Sequence, residues 1–358
     1  MHYTVRDGDT LWLIAQKFGL DYRSIALANS IADPDTVVPG QVLHIPRRTR
    51  LIGIVPDYAA HEGLPEALSS PEAFSEIVYT FLRVRPDGSL LRGTVDPSVQ
   101  TLRAYRTRVL AGVSNQSESV YSTGSLDHCL LDQNRRTVLA SEVVDAVATN
   151  ALDGVVLDFQ ALAPRHADAY TCLVREVATR LRRMSPYYTV AVYLPFGSLD
   201  GGFDVPSLGD CADLVMVEGF EKGSLHFEGP STPLGWLRDT VARMMDILDR
   251  SKIVVALGAY GLDWGPRGPA VFLSCNEAEY LARGTGARVV RDAESGCQWF
   301  QYSDRSGQTH TVWFEDSSSL AAKIVLLEEF GIRKIAIWRL GTGPSDLLAV
   351  SARAGTWC

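Results

Sequence analysis

The 358-residue chain is poor in lysine: only Lys17, Lys222, Lys252, Lys323 and Lys334 are present, and the formal net charge is -8. Neutralising phosphates requires grouped basic side chains, so a nucleic-acid partner is not expected. No stretch is apolar for long enough to cross a membrane, so no membrane partner is expected either. Met1-His2-Tyr3 runs straight into polar sequence rather than from a basic start into an apolar run, so no secretory leader is expected. The six cysteines (Cys129, Cys172, Cys211, Cys275, Cys297 and Cys358) form no C-x-x-C pair and show no metal-ligand spacing. No metal and no cofactor is therefore expected. Most of them read as buried free thiols. Cys358, the last residue, is the candidate for cross-linking to another protein or to a second copy.

Apolar residues make up 46% and charged residues 21%, a globular balance, and the length suits a small module followed by a barrel. The first 46 residues read as strand, helix, helix, strand. Tyr3-Thr4-Val5 alternates, and Gly8-Asp9 turns the chain. Thr10 is placed to cap a helix whose Leu11, Ile14, Ala15 and Phe18 share one face. Gly19 stands where helices stop, and Pro39-Gly40-Gln41 turns into a closing strand. Tyr3-x-Val5, Gly8-Asp9-Thr10-Leu11, Ile14-Ala15, Asn29-x-Ile31 and Gly40-Gln41-x-Leu43-x-Ile45-Pro46 resemble a LysM domain. The resemblance implies a shallow groove for N-acetylglucosamine-containing glycans, with Gly8, Asp9, Thr10, Leu11, Asn29, Ser30 and Ile31 near the sugar. A plainer reading makes Leu11 and Ile31 core residues and Asp9 a cap. Residues 47–50 read as a short basic linker.

From residue 51 to 358, eight short β-branched apolar runs alternate with helical stretches: 51–55, 77–81, 108–113, 154–157, 189–194, 214–217, 253–257 and 335–338. Such runs read as parallel strands buried on both faces, and eight of them imply an α/β fold, a (β/α)8 barrel. An over-long stretch at about 262–316 carries further strand-like pieces and a hairpin turn at Ser303–Gly307, which implies a small α+β insertion between strands 7 and 8 at the barrel mouth.

Asp153-Gly154-Val155-Val156-Leu157-Asp158-Phe159-Gln160 falls on the fourth strand, and alternation puts Asp158 and Gln160 on one side near its C-terminal end. This segment resembles the D-G-x-D-x-D-x-E signature of family 18 glycoside hydrolases. The barrel as a whole is similar to the spore-cortex N-acetylglucosaminidases of that family. Tyr260-Gly261-x-Asp263-Trp264, Val312-Trp313-Phe314-Glu315-Asp316 and Trp338-x-Leu340-Gly341 add to the likeness. The resemblance implies that the final Glu protonates the glycosidic oxygen. The Asp two residues earlier then holds the substrate's acetamido group for attack on C1. Here the acid position is Gln160, and a carboxamide has no proton to release. The middle Asp is replaced by Val156. On the sixth strand Glu218 stands at a family Tyr position; a two-residue slip would put Phe220 there instead.

Candidate catalytic residues are thus Asp158, Gln160, Asp153 and Glu218, with Tyr193, Tyr260, Trp264 and Trp338 as barrel residues for stacking on sugar. Three explanations stay open: an engineered Glu-to-Gln change, natural loss of hydrolysis with glycan binding or a structural role kept (as a disulfide-linked protein of coat, exosporium or appendage), or an acid supplied by Glu218 or Glu221. The first explains neither Val156 nor the sixth strand. Glu218 reads alternatively as a surface carboxylate or a partner of Arg339, and Trp299 as insertion packing. The expected partner is peptidoglycan or another N-acetylglucosamine polymer. The expected location is the spore envelope, reached from the mother cell without a signal, with other envelope proteins as disulfide partners.

Overall fold

The computed structural model describes residues 2–18, 22, 25–26, 29, 31, 33, 36–45, 51–117, 120–121, 123–195, 197 and 201–348. Ser30, the 47–50 linker and Cys358 lie outside the described residues. In the N-terminal module, strand His2–Thr4 pairs antiparallel with strand Val42–His44, Tyr3 opposite Leu43. Helix Leu11–Phe18 packs Leu11, Ile14 and Ala15 against Val5, Ile25, Leu43 and Ile45. The Thr10 hydroxyl accepts the Leu13 amide at 3.2 Å, so the expected cap is formed.

The barrel strands are β1 (Leu51–Pro56), β2 (Phe74–Val84), β3 (Arg108–Ser114), β4 (Gly154–Asp158), β5 (Thr189–Leu194), β6 (Leu214–Glu218), β7 (Ile253–Gly258) and β8 (Lys334–Trp338). Each pairs in parallel with the next, and β8 pairs with β1 to close the cylinder. Alternation divides every strand. Val155, Leu157, Val190 and Val192 face the surrounding helices. Val156, Ala191, Leu214 and Met216 fill the interior. With apolar residues required on both faces, the strands read as unbroken hydrophobic runs in sequence. A short strand, Leu90–Arg92, extends β2 antiparallel and was not expected, being three residues with little pattern.

Between β7 and β8 a five-stranded antiparallel sheet runs in the order Val271–Leu273, Gly261–Trp264, Thr309–Phe314, Gln298–Ser303, Val290–Arg291. Helix Cys275–Thr285 covers it, burying Ala278 and Ala282 against Phe300, Val312 and Phe314. Gly307, at φ 78°, closes the hairpin, whose Asp304 carboxylate accepts the amides of Ser306 and Gln308. The Glu315 amide donates to the Tyr260 carbonyl, which ties this sheet to the chain leaving β7. Four of the five described cysteines, Cys129, Cys211, Cys275 and Cys297, are buried; Cys172 is exposed and all five are free thiols.

Candidate active site

β4 carries the first carboxylate to the mouth. Its lower end is fixed by Asp153, whose carboxylate accepts the Val109 amide at 2.8 Å and lies 3.4 Å from the Arg103 guanidinium. Asp153 therefore sits at the opposite end of the strand from Asp158 and anchors strands, correcting its expected place in the catalytic set. Val156 points into the barrel beside Gly112 and Ala191, where a side chain with no polar atom needs no partner.

Side chains inside a barrel of this type stack in layers drawn from alternate strands, and with a shear of about eight each layer advances one residue per strand relative to the hydrogen-bonded register. Leu157 pairs with Val192, so Asp158 lies beside Tyr193, which pairs with Met216. Two strands on from β4, the layer partner of Asp158 is accordingly Glu218. Met216 pairs with Val254 and Val254 with Lys334, which makes Trp338 of β8 the third member. Asp158, Glu218 and Trp338 thus face one another across the mouth, with Tyr193 from β5 between the two carboxylates. The Tyr193 hydroxyl donates to Glu218 at 3.0 Å.

Glu218 is 6% exposed, and Arg339 lies 2.7 Å from Glu62, so neither the surface-carboxylate reading nor the Arg339 pairing describes it. On the sixth strand Met216 points inward, as does Phe220 beyond its end, and Phe220 packs nearly parallel to Trp338 at 6.5 Å.

Gln160 is held at both ends. Its backbone exchanges two 2.8 Å hydrogen bonds with the carboxamide of Asn115, and its own amide donates to Asp158 at 3.1 Å. Burial pushes the Asp158 carboxyl up to about 6, against the opposing pull of that amide. A folded pKa above the unfolded one favours folding at low pH, and that advantage is lost as pH rises through the folded value. Asp158→Asn should therefore be close to neutral at pH 4. At pH 8 it should stabilise by about 1–2 kcal/mol, less than the full shift because the side chain, at the end of β4, is not wholly cut off from solvent. Urea unfolding at the two pH values checks this, and equal effects at both would contradict it.

The remaining expected stacking residues are enclosed. Tyr260 is 5% exposed, stacked on Phe272 at 5.0 Å and edge-on to Phe220. Trp264 is 9% exposed, and its indole N–H donates to the Ser224 carbonyl. Both pack the wall between insertion and barrel and present no open face. Trp299 stacks on Trp313 at 5.6 Å within the insertion, as expected. Glu221 follows β6 in a left-handed backbone conformation (φ 67°), and desolvation raises its carboxyl.

The sequence profile of glycosyl hydrolases family 18 matches residues 55–343, most of the chain and all the strands that build this mouth. The chain belongs to family 18 of the glycosyl hydrolases. The LysM profile matches residues 3–46. Among relatives of this combined form, the cortical fragment-lytic enzyme of Bacillus subtilis is 26% identical, over 98% of this chain and 97% of its own length. The crystal structure of the spore cortex-lytic enzyme SleL of Bacillus megaterium superposes with a TM-score of 0.76 at 23% identity, covering 98% of this chain and 85% of that one. SleL of Bacillus cereus gives 0.78 at 22%, covering 99% and 86%.

Within the LysM module, the expected sugar-binding residues divide by burial. Gly8 (φ 82°) and Thr10 are exposed on the first loop. Asp9 accepts the Tyr3 hydroxyl at 2.7 Å and the Arg6 amide at 2.8 Å, so it shapes that loop. Leu11 belongs to the core and Ile31 packs against it. Asn29 donates to the carbonyls of Ile25 and His44 and accepts the His44 amide, which commits its carboxamide to holding the closing strand.

Two residues in contact with these side chains carried no recognisable sequence signal. Asn115 follows β3 as an ordinary polar residue after an apolar run, and only the fold brings it to Gln160. Phe272 reaches Tyr260 from an insertion strand three residues long.

Proposed function

We propose that this chain binds N-acetylglucosamine-containing cell-wall glycan, of the spore-cortex peptidoglycan type, without cleaving it at an appreciable rate. The LysM module and the barrel mouth are the two binding elements, residues 1–46 and 51–358, joined through 47–50. The observation that carries the reading is the hydrogen bond from the Gln160 carboxamide to Asp158. At the position of the acid there is a group that donates a hydrogen bond but releases no proton. Val156 leaves Asp158 without a neighbouring carboxylate on its own strand. Spore-cortex glycan as the partner, and the spore envelope as the location, are supported by the relatives' names together with the shared LysM-and-barrel architecture. Deposition from the mother cell and disulfide linkage to other envelope proteins belong to the same reading.

Trp338 is the residue of the mouth layer suited to stack on a sugar face. Trp338→Ala should weaken binding of soluble peptidoglycan glycan strands to the full chain by at least about tenfold, on the scale of a lost stacking anchor, with the LysM contribution unchanged. Titration calorimetry reads this directly, and an unchanged affinity would remove the barrel from the binding surface. A second reading, slow hydrolysis, is favoured by one observation: desolvation raises the Glu221 carboxyl above its ordinary value, so it holds its proton more firmly than a solvated glutamate.

A further inference from the structure

A cleft of about 500 Å³ opens on the barrel rim where the chain leaves β1 and β2. That lies within the roughly 300–1,000 Å³ in which small ligands are held. Pro56 ends β1, and Asp57 opens the short helical turn that follows it. β2 runs on to Val84 and brings Arg83 to the rim. The Asp57 carboxylate accepts the Tyr58 amide at 2.8 Å and a fork of two hydrogen bonds from the Arg83 guanidinium, at 2.7 and 2.8 Å. Opposite, the Tyr79 hydroxyl donates to the Thr94 carbonyl and the Asp96 carboxylate accepts the Ser98 amide, which fixes the chain that closes the cleft.

Two features of this cleft suit a ligand rich in hydroxyls. The first is its polar floor. A guanidinium has five N–H donors, and Arg83 spends two on Asp57. Among the described residues, no other group accepts a hydrogen bond from it. As a unit the pair is neutral, so an anion would have to displace Asp57 and a cation would have to displace Arg83. A sugar hydroxyl donates and accepts at once, so two adjacent hydroxyls can meet the carboxylate and the guanidinium together. The second feature is the wall. Tyr58 is 58% exposed, although the Arg339 guanidinium lies over its ring at 5.8 Å. One face is covered and the other is left open, as stacking on the apolar face of a pyranose requires. Arg339 follows Trp338 in sequence, so the Tyr58 ring continues the stacking surface of the mouth outward from β8 to β1.

We infer that the cleft between Asp57, Tyr58 and Arg83 is a further sugar site, which takes one neutral pyranose unit of the glycan that lies on Trp338. The inference rests on the mouth being the glycan site proposed above. Tyr58 supplies the stacking face and the Asp57–Arg83 pair holds hydroxyls. Occupying the cleft strands no charge, because the two ions keep each other as partners. A glycan too short to leave the mouth gains nothing from it, so the cleft selects for chain length.

The test is titration of the full chain with the dimer and the hexamer of N-acetylglucosamine, in the wild type, Trp338→Ala, Tyr58→Ala, Tyr58→Phe and Arg83→Lys. The LysM module is common to all five proteins, so the part of the binding lost in Trp338→Ala belongs to the barrel. In that part, Tyr58→Ala should weaken the hexamer by at least about fivefold, the scale of a lost aromatic anchor, and leave the dimer unchanged. Tyr58→Phe keeps the ring and should keep the hexamer affinity. Arg83→Lys keeps the charge opposite Asp57 but loses the planar fork, and should weaken the hexamer alone by about threefold. Hexamer binding unmoved by Tyr58→Ala, or a dimer weakened equally, overturns the inference while leaving the mouth as a glycan site. Binding of neither oligomer in a Trp338-dependent way overturns both.

Discussion

Lys323→Met should lower the stability of the barrel by about 3–5 kcal/mol, the loss expected when one partner of a buried ion pair is removed and the other stays behind. Lys323 is fully buried on the helix Ser317–Glu329 that follows the insertion. Its ammonium bonds to Glu315 and lies 3.4 Å from the Cys297 sulfur. The Cys297 thiol donates to the same carboxylate at 3.2 Å, and Ser231 donates to it at 3.1 Å. Desolvation works against the charged lysine, but the Glu315 carboxylate and Cys297 outweigh it and raise its pKa. Burial, reinforced by Glu315, pushes the Cys297 thiol up to about 12, so it remains a neutral donor. Methionine preserves the volume and removes the charge, which isolates the electrostatic loss. Urea denaturation with Lys323→Met and with Lys323→Met/Glu315→Gln measures it. The double variant should recover part of the stability, because the stranded carboxylate is gone. A loss below about 1 kcal/mol in the single variant would contradict the account. The consequence for the site is direct, since the Glu315 amide holds the Tyr260 carbonyl and Tyr260 packs against Phe220 beneath Trp338.

Gly154→Ala should cost a comparable amount. Gly154 opens β4 at φ 153°, a conformation that L side chains rarely adopt, and a Cβ there would stand 2.0 Å from the Thr189 carbonyl oxygen and 2.7 Å from its nitrogen. Both close atoms are backbone of the neighbouring strand, so no rotamer change relieves the overlap. Backbone strain of about 1–3 kcal/mol adds to overpacking of about 1–3 kcal/mol. β4 would have to shift against β5, and Asp158 with it. The variant should show a lowered thermal midpoint together with weakened Trp338-dependent glycan binding. Wild-type stability would contradict the strained role assigned to this glycine.

These two positions also show what was legible in sequence. Asp153-Gly154 stood out as the start of a signature, but the pattern could not separate the aspartate that anchors β4 at its foot from the one that serves the mouth. That separation depends on strand length and direction in space. The eight strands were readable because burial on both faces forces continuous apolar runs. The insertion was readable because its strands interrupt that rhythm. Its first two strands and its helix were not, since Gly261–Trp264 reads as a continuation of β7. Val312 to Asp316 was noticed as a motif, and its reasons are structural: Trp313 stacks on Trp299, Glu315 anchors Lys323, and Asp316 caps the following helix while pairing with Arg291. Tyr260 and Trp264 looked like sugar platforms because of their chain position, yet each is enclosed by neighbours that only the fold supplies. The opposition of Asp158 and Glu218 is a property of barrel shear and appears in no local window.

The central claim is that glycan is held without being cut, because the acid is missing and its surroundings have changed with it. Mass spectrometry of muropeptides after incubating spore-cortex fragments with the wild type and with Gln160→Glu tests this most directly. The account predicts no cleavage products from the wild type. It also predicts no strong turnover from Gln160→Glu, since Val156 and Glu218 remain where the family signature has Asp and Tyr. Abundant products from the wild type would contradict the account and turn the search for an acid to Glu221 and Glu218.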